Sequence, residues 1–196
     1  MSKNKTFSVA RNISFLIKLK EVLLILILFI STHAVCGQTL ELTKFENKDF
    51  TFKYPSDWEF DDSGATGSLI TVLSMPDDAD DMFRENVNLI VQDISAFDVT
   101  LADYAEVSIP ELEGAGAEIL KSTTFQNPAR HEVVFNIEQN GYDLRMIQNY
   151  LVENGNAYVL TLICLRSGSD KYWEIGQKIL ESFTVKHPKA DKKLPR

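Results

Sequence analysis

Cysteine and histidine are scarce in this sequence, and the scarcity removes whole classes of chemistry. There are two cysteines and three histidines in 196 residues. Cys164 sits inside the apolar run Val159-Leu160-Thr161-Leu162-Ile163-Cys164-Leu165. A free cysteine there behaves as a small hydrophobe, whereas a reactive thiol wants an exposed, electropositive setting. His131 alternates in phase with Val133 and Phe135 on an apolar strand face, and His187 lies beside Pro188 near the end of the chain. Two separated histidines and one core cysteine do not make a zinc site. No G-x-S-x-G elbow occurs. Gly114-Ala115-Gly116-Ala117 lacks the third glycine of a dinucleotide loop and follows a helix instead of a strand. The expectation is a chain without catalytic residues, metal or cofactor.

Long hydrophobic runs are also missing. The longest, residues 22–30, has nine residues, while a spanning helix needs about 20. It has the setting of a secretory leader. Lys3, Lys5, Arg11, Lys18 and Lys20 precede it, and Ser31, Thr32 and Ala34 follow. Small residues at Val35 and Gly37 place cleavage before Gln38, and those at Ala34 and Cys36 place it before Gly37. A buried core helix and an uncleaved anchor are the competing readings of this segment. Cys36 raises a lipid anchor as a further alternative, although a lipid-carrying cysteine ordinarily follows Gly, Ala or Ser and this one follows Val35. The expected organisation is a signal peptide over 1–37, one domain over 38–186 and a basic, disordered tail over 187–196. Localisation then follows as exported, to the periplasm or the extracellular side, with no transmembrane span after cleavage.

Basic residues become scarcer still once the leader is set aside. The leader holds five bases and Glu21, so residues 38–196 carry 15 bases against 27 acids, a net −12. Such a surface repels phosphate backbones, which argues against nucleic acid as a partner. The densest acidic feature is Asp77, Asp78, Asp80 and Asp81, directly after Pro76. These four are weak cation candidates. The spacing is not that of an EF-hand, since the Gly and the distal Glu are missing, and the bland reading is a solvated turn. Asp57 with Glu59 is one of many carboxylate pairs that an acidic protein offers.

Alternating apolar residues predict strands over 49–54, 68–75, 87–94, 118–125, 129–138, 142–152 and 157–165. Pro55 stops the first. Asn140-Gly141 and the run 153–156 read as hairpin turns. Thr100 and Asp103 form a capping box for a helix over 100–113, with Pro110 marking an irregular end. Ser167, Ser169 and Asp170 offer caps for a last helix whose apolar stripe includes Tyr172, Trp173, Ile175, Ile179, Leu180 and Phe183. The strand over 157–165 is apolar on both faces, so layers must cover both sides of the sheet. Trp173, Ile179 and Phe183 are expected to seat the last helix. About 159 residues bury roughly two-thirds of their unfolded surface, so no staple is required.

Five short motifs occur in a fixed order. Phe52-Lys53-Tyr54-Pro55-Ser56-Asp57-Trp58 ends the first strand, and Glu85-Asn86-Val87-Asn88 enters the third. Thr100-Leu101-Ala102-Asp103-Tyr104 opens a helix, Asn127-Pro128-Ala129-Arg130 approaches the central hairpins, and Tyr158-Val159-Leu160-Thr161 precedes Phe183. In this order the chain resembles the PsbP/DcrB-like family over about residues 45–185. The resemblance implies an α+β fold, an α/β/α sandwich with a central, mostly antiparallel sheet covered by helices. It gives Tyr54, Pro55 and Trp58 a structural role. Relatives include a photosystem II subunit, envelope lipoproteins, effector chaperones and a Ran-binding import factor, none of them catalytic, and no binding residue of theirs transfers to this sequence. One fold carrying unrelated tasks is usual. The reading that results is an exported, non-enzymatic protein that binds another envelope or secreted protein, or a small ligand. The alternatives are an effector chaperone, against which the leader argues, and a carboxylate-based hydrolase. Two converging acids with perturbed pKa values in a cleft would favour the hydrolase.

Overall fold

The computed structural model describes residues 40–187. The expected leader over 1–37 and all but His187 of the expected tail lie outside the described residues. Among the described residues, ten strands and two α-helices follow one another: β1 (Leu42–Glu46), β2 (Phe50–Pro55), β3 (Glu59–Asp61), β4 (Ile70–Leu73), β5 (Asn86–Asp93), α1 (Leu101–Gly114), β6 (Glu118–Gln126), β7 (Ala129–Gln139), β8 (Tyr142–Glu153), β9 (Asn156–Leu165), α2 (Ser169–Ser182) and β10 (Thr184–Val185). Seven strands form one antiparallel sheet in the order β3-β4-β5-β9-β8-β7-β6, and β1-β2-β10 form a smaller one. The expected α/β/α sandwich is the observed architecture.

The hairpins that build the sheet are written in its turns. Asn140 and Gly141 have φ of 53° and 82°, and Asn154 and Gly155 have 54° and 74°. Paired positive φ values give the turn twist that matches right-twisted strands. They fix the registers Gln139↔Tyr142 and Glu153↔Asn156, and through them every cross-strand pair of β7, β8 and β9. β9 is apolar on both faces as expected. Tyr158, Leu160, Leu162 and Cys164 enter one core with Ile179 and Leu180 of α2, with Phe183 just after it, and with Phe50 and Phe52 of β2. Val159, Ile163 and Leu165 meet the other core, beneath Leu101, Tyr104 and Ala105 of α1. Each helix therefore seals one face.

α1 begins as its sequence signals. Thr100 Oγ1 accepts from the Asp103 N–H at 3.2 Å, and the Asp103 carboxylate accepts from the Thr100 N–H at 2.9 Å. Pro110 does not end it. The helix continues to Gly114, because Pro110 and Glu106 lie on the exposed face, where a carbonyl that loses its N–H partner can turn to solvent. Gly116, at φ 96°, closes the end and lets the Ala117 N–H reach the Leu112 carbonyl at 2.9 Å.

α2 departs from expectation at its start. A 3-10 turn over Arg166–Gly168 leads directly into it, Gly168 takes the cap position without a side-chain bond, and the Ser169 hydroxyl donates back to the Arg166 carbonyl. The seating also differs in detail. Tyr172, Ile179, Leu180 and Phe183 are buried, whereas Trp173 is half-buried at the margin of the same core. The helix reaches β9 closely only because residue 176 is glycine. A Cβ there would lie 2.5 Å from Leu162 Cδ1 and 2.9 Å from Leu162 Cγ.

Two stability outcomes follow. Gly176→Ala should destabilise the domain although alanine is the better helix former by about 1 kcal/mol. Forcing a methyl group into a packed core costs about 1–3 kcal/mol, and Leu162 is fully buried with little room to turn. Phe183→Ala should cost about 3–5 kcal/mol, and Trp173→Ala clearly less. Urea unfolding of the three variants checks this. A stabilised Gly176→Ala, or a Trp173→Ala as damaging as Phe183→Ala, would contradict the packing described.

Candidate functional site

The acidic loop after β4 folds against the start of α2. Asp77 accepts from Lys171 Nζ and from the Tyr172 hydroxyl, both in short contacts. The loop holds its own shape through the other carboxylates. Asp78 Oδ1 accepts from the Asp80 N–H at 2.9 Å, and the two oxygens of Asp81 accept from the N–H groups of Asp77 at 2.8 Å and Phe83 at 3.0 Å. Between the loop, the first turn of α2 and the starts of β5 and β8 lies a cleft of about 410 Å³. Asp77, Asp78, Asp80 and Asp81 all line it. Apolar and aromatic side chains complete the lining: Phe83, Tyr142 and Tyr172, with Met82, 86% exposed, beside them. The rings of Phe83 and Tyr142 are 5.0 Å apart.

Glu85 also lines the cleft and is only 4% exposed. Its burial has a sequence signal that the motif reading passes over. It stands two residues before Val87 and four before Leu89, both buried, so strand periodicity carries its side chain to the core face. Burial raises its pKa above the ordinary 4.5, and the charges of Asp77 and Asp81 push the same way against bonds from backbone N–H groups, Leu165 among them. The Ser74 hydroxyl sits 3.5 Å away. Asp77 shifts oppositely: the bond from Lys171, then that from Tyr172, holds its carboxyl below the usual range. Lys171 is raised in turn, chiefly by the same bond.

The other candidates scatter. Trp58 is buried against Tyr172, ring centroids 6.2 Å apart, and Pro55 is buried at the end of β2. Tyr54 packs on Phe52 and Phe60. Tyr54, Trp58 and Trp173 belong to the core that also holds Tyr172, and neither they nor Pro55 line the cleft. Glu59 pairs with Arg84 at 2.7 Å, so it makes no acid pair with the exposed Asp57. Cys164 is fully buried, and burial, with the charge of Glu85 adding, pushes its thiol up to about 12. His131 has partners that its position in the sequence does not reveal: Ser122 Oγ lies 2.9 Å from Nε2, and Thr124 Oγ1 lies 2.8 Å from Nδ1. A hydroxyl stands where a triad places a carboxylate, so nothing there stabilises an imidazolium. Burial lowers the pKa of this ring. Among the described residues, no three His, Cys, Asp or Glu side chains come together as a metal site.

Solved structures place this architecture. The domain is similar to cyanobacterial PsbP (CyanoP) from Synechocystis, with a TM-score of 0.57 and 17% identity over 77% of this chain and 97% of that one. The fold is PsbP-like. LpqN, a protein involved in cell envelope biogenesis of Mycobacterium tuberculosis, matches with a TM-score of 0.54 and 15% identity over 75% of this chain and 91% of its own. PA94 from Pseudomonas aeruginosa matches at 0.51 and 15% over 76% and 99%. No protein-family profile and no curated protein matches the sequence. At these identities the PsbP-like likeness is one of fold.

Glu85 gives this site a pH-dependent test. Its raised folded pKa favours the neutral acid in the fold. The cost of ionising it is absent below the unfolded value and fully felt above the folded one. Glu85→Gln should therefore raise the melting temperature at neutral pH. The gain should fade as pH falls through the carboxylate range and vanish below 4.5. A variant destabilised at neutral pH would mean that the ionised carboxylate supports the fold.

Proposed function

We propose that this chain is an exported, non-catalytic protein of the cell envelope or its exterior, and that it binds a partner protein through the cleft between the acidic loop and α2. The observation that carries the binding role is the composition of that cleft. A close, tilted pair of aromatic rings and an exposed methionine share the cleft lining with four aspartates. Apolar area with a polar rim is the anatomy of a recognition surface. The basic-apolar-small order of residues 1–37 supports export. The PsbP-like fold, which LpqN shares, fits an envelope setting. No described helix is long and apolar enough to cross a membrane.

One observation favours the hydrolase reading. Glu85 and Asp77 occupy one cleft with pKa values pushed apart, the pattern of an acid and a base. The bonding of Asp77 weighs against it, because an ammonium and a phenol both donate to Oδ1 and hold the carboxyl below the usual range, which makes it a weaker base. Glu85, almost wholly buried, offers little access to a substrate.

N-terminal sequencing of the protein recovered from its host tests export. The mature chain should start at Gly37 or Gln38. Intact Met1 in the cytoplasm would refute export, and an acylated Cys36 would replace the soluble form with a lipoprotein. Crosslinking in the intact envelope, followed by identification of the adduct, tests the binding role. A protein that forms no adduct at any surface position would speak against it.

A further inference from the structure

Lys171 is an odd resident of this cleft. Its Nζ lies 4.7 Å from the centroid of the Tyr172 ring and bonds the Asp77 carboxylate. An ammonium held between an aromatic face and a carboxylate is how proteins recognise organic cations. Here the cation comes from the protein itself, and more than half of that side chain is exposed. Lys171 is alone against five lining carboxylates, Glu85 included. Metal ions are poor candidates for balancing that charge. The carboxylates of Asp78 and Asp81 are turned into backbone bonds of the loop, and no three such groups converge among the described residues. A cation with an apolar body suits the walls better. The stem of a lysine or arginine can lie along Phe83, Tyr142 and Met82 while its head reaches the acids.

We infer that the cleft receives a lysine or arginine side chain of a basic protein segment, and that Lys171 is the internal occupant which the incoming cation displaces. This rests on the binding role proposed above and names its chemistry. Charge complementarity supplies the occupant: the lining is acidic, and residues 38–196 carry an excess of twelve acids. Tyr172 contributes its ring to whichever cation is present. Asp77 exchanges one ammonium for another, so little new desolvation is needed. Lys171 then sets the affinity, because it competes for the same place.

Titration with tetralysine amide at low salt tests this, with binding followed by the amide NMR signals of Gly168 and Tyr172. Lys171→Met should bind the peptide about tenfold more tightly than the native protein. Lys178→Met makes the same change of charge on the same helix at an ion pair with Glu174 away from the cleft, and it should leave binding unchanged. Tetralysine with every side chain acetylated should not bind. Equal gains in both variants would reduce the effect to general electrostatics and overturn the inference, and so would no gain in Lys171→Met with its melting temperature intact. A saturable rise in melting temperature with calcium alone, lost in Asp78→Asn, would overturn it in favour of a metal site. An envelope partner that crosslinks equally well to native protein and to a protein with both Met82→Ala and Tyr142→Ala would leave the binding role standing and remove the cleft as its seat.

Discussion

The domain depends on one strand that has no face for water. β9 carries Tyr158, Leu160 and Leu162 on one side and Val159, Ile163 and Leu165 on the other. Such a strand is stable only between two covering layers. That requirement fixes its central place, with β5 on one side and β8 on the other, and assigns each helix a face. It also explains Gly176. A helix resting directly on fully buried Leu162 needs a position without a side chain to come close.

Much of this was legible in the sequence because the long hairpins carry both of their determinants locally. The alternation over β7, β8 and β9 marks the strands, and two Asn-Gly turns mark where they reverse. β1, β3 and β10 escape such reading for physical reasons. Most of β1 is exposed and lacks a buried face to impose alternation, while β3 and β10 have three and two residues. Pro110 misleads because a proline on an exposed helix face is tolerated. Ser167 and Ser169 mislead because the chain leaves β9 in a 3-10 turn, which places a glycine at the cap.

The site was legible only in part. Four aspartates after Pro76 are conspicuous, but their meaning depends on Lys171 and Tyr172, which stand 94 and 95 residues from Asp77. No local pattern reports a tertiary partner at that separation. A solvated turn and one wall of a tertiary cleft therefore look alike in one dimension. Glu85 is different, since its phase with Val87 and Leu89 announces burial. The aromatic residues of the resemblance motif, Tyr54 and Trp58, lie in the core and not in the cleft lining, which accords with a structural role for that motif.

The small sheet has a bearing on the order in which the molecule can be completed. β2 lies between β1 and β10, with Val185 paired to Phe50 and the Ser182 hydroxyl joined to both backbone groups of Lys53 across 129 residues. The hairpins from β6 to β9 are sequential neighbours and can form as soon as they exist, whereas contacts this distant bear the full cost of loop closure. A chain emerging from the ribosome can pair these hairpins before α2 exists, which leaves Phe50 and Phe52 without the helix that covers them. Only the final stretch, α2 and β10 together, closes that apolar face.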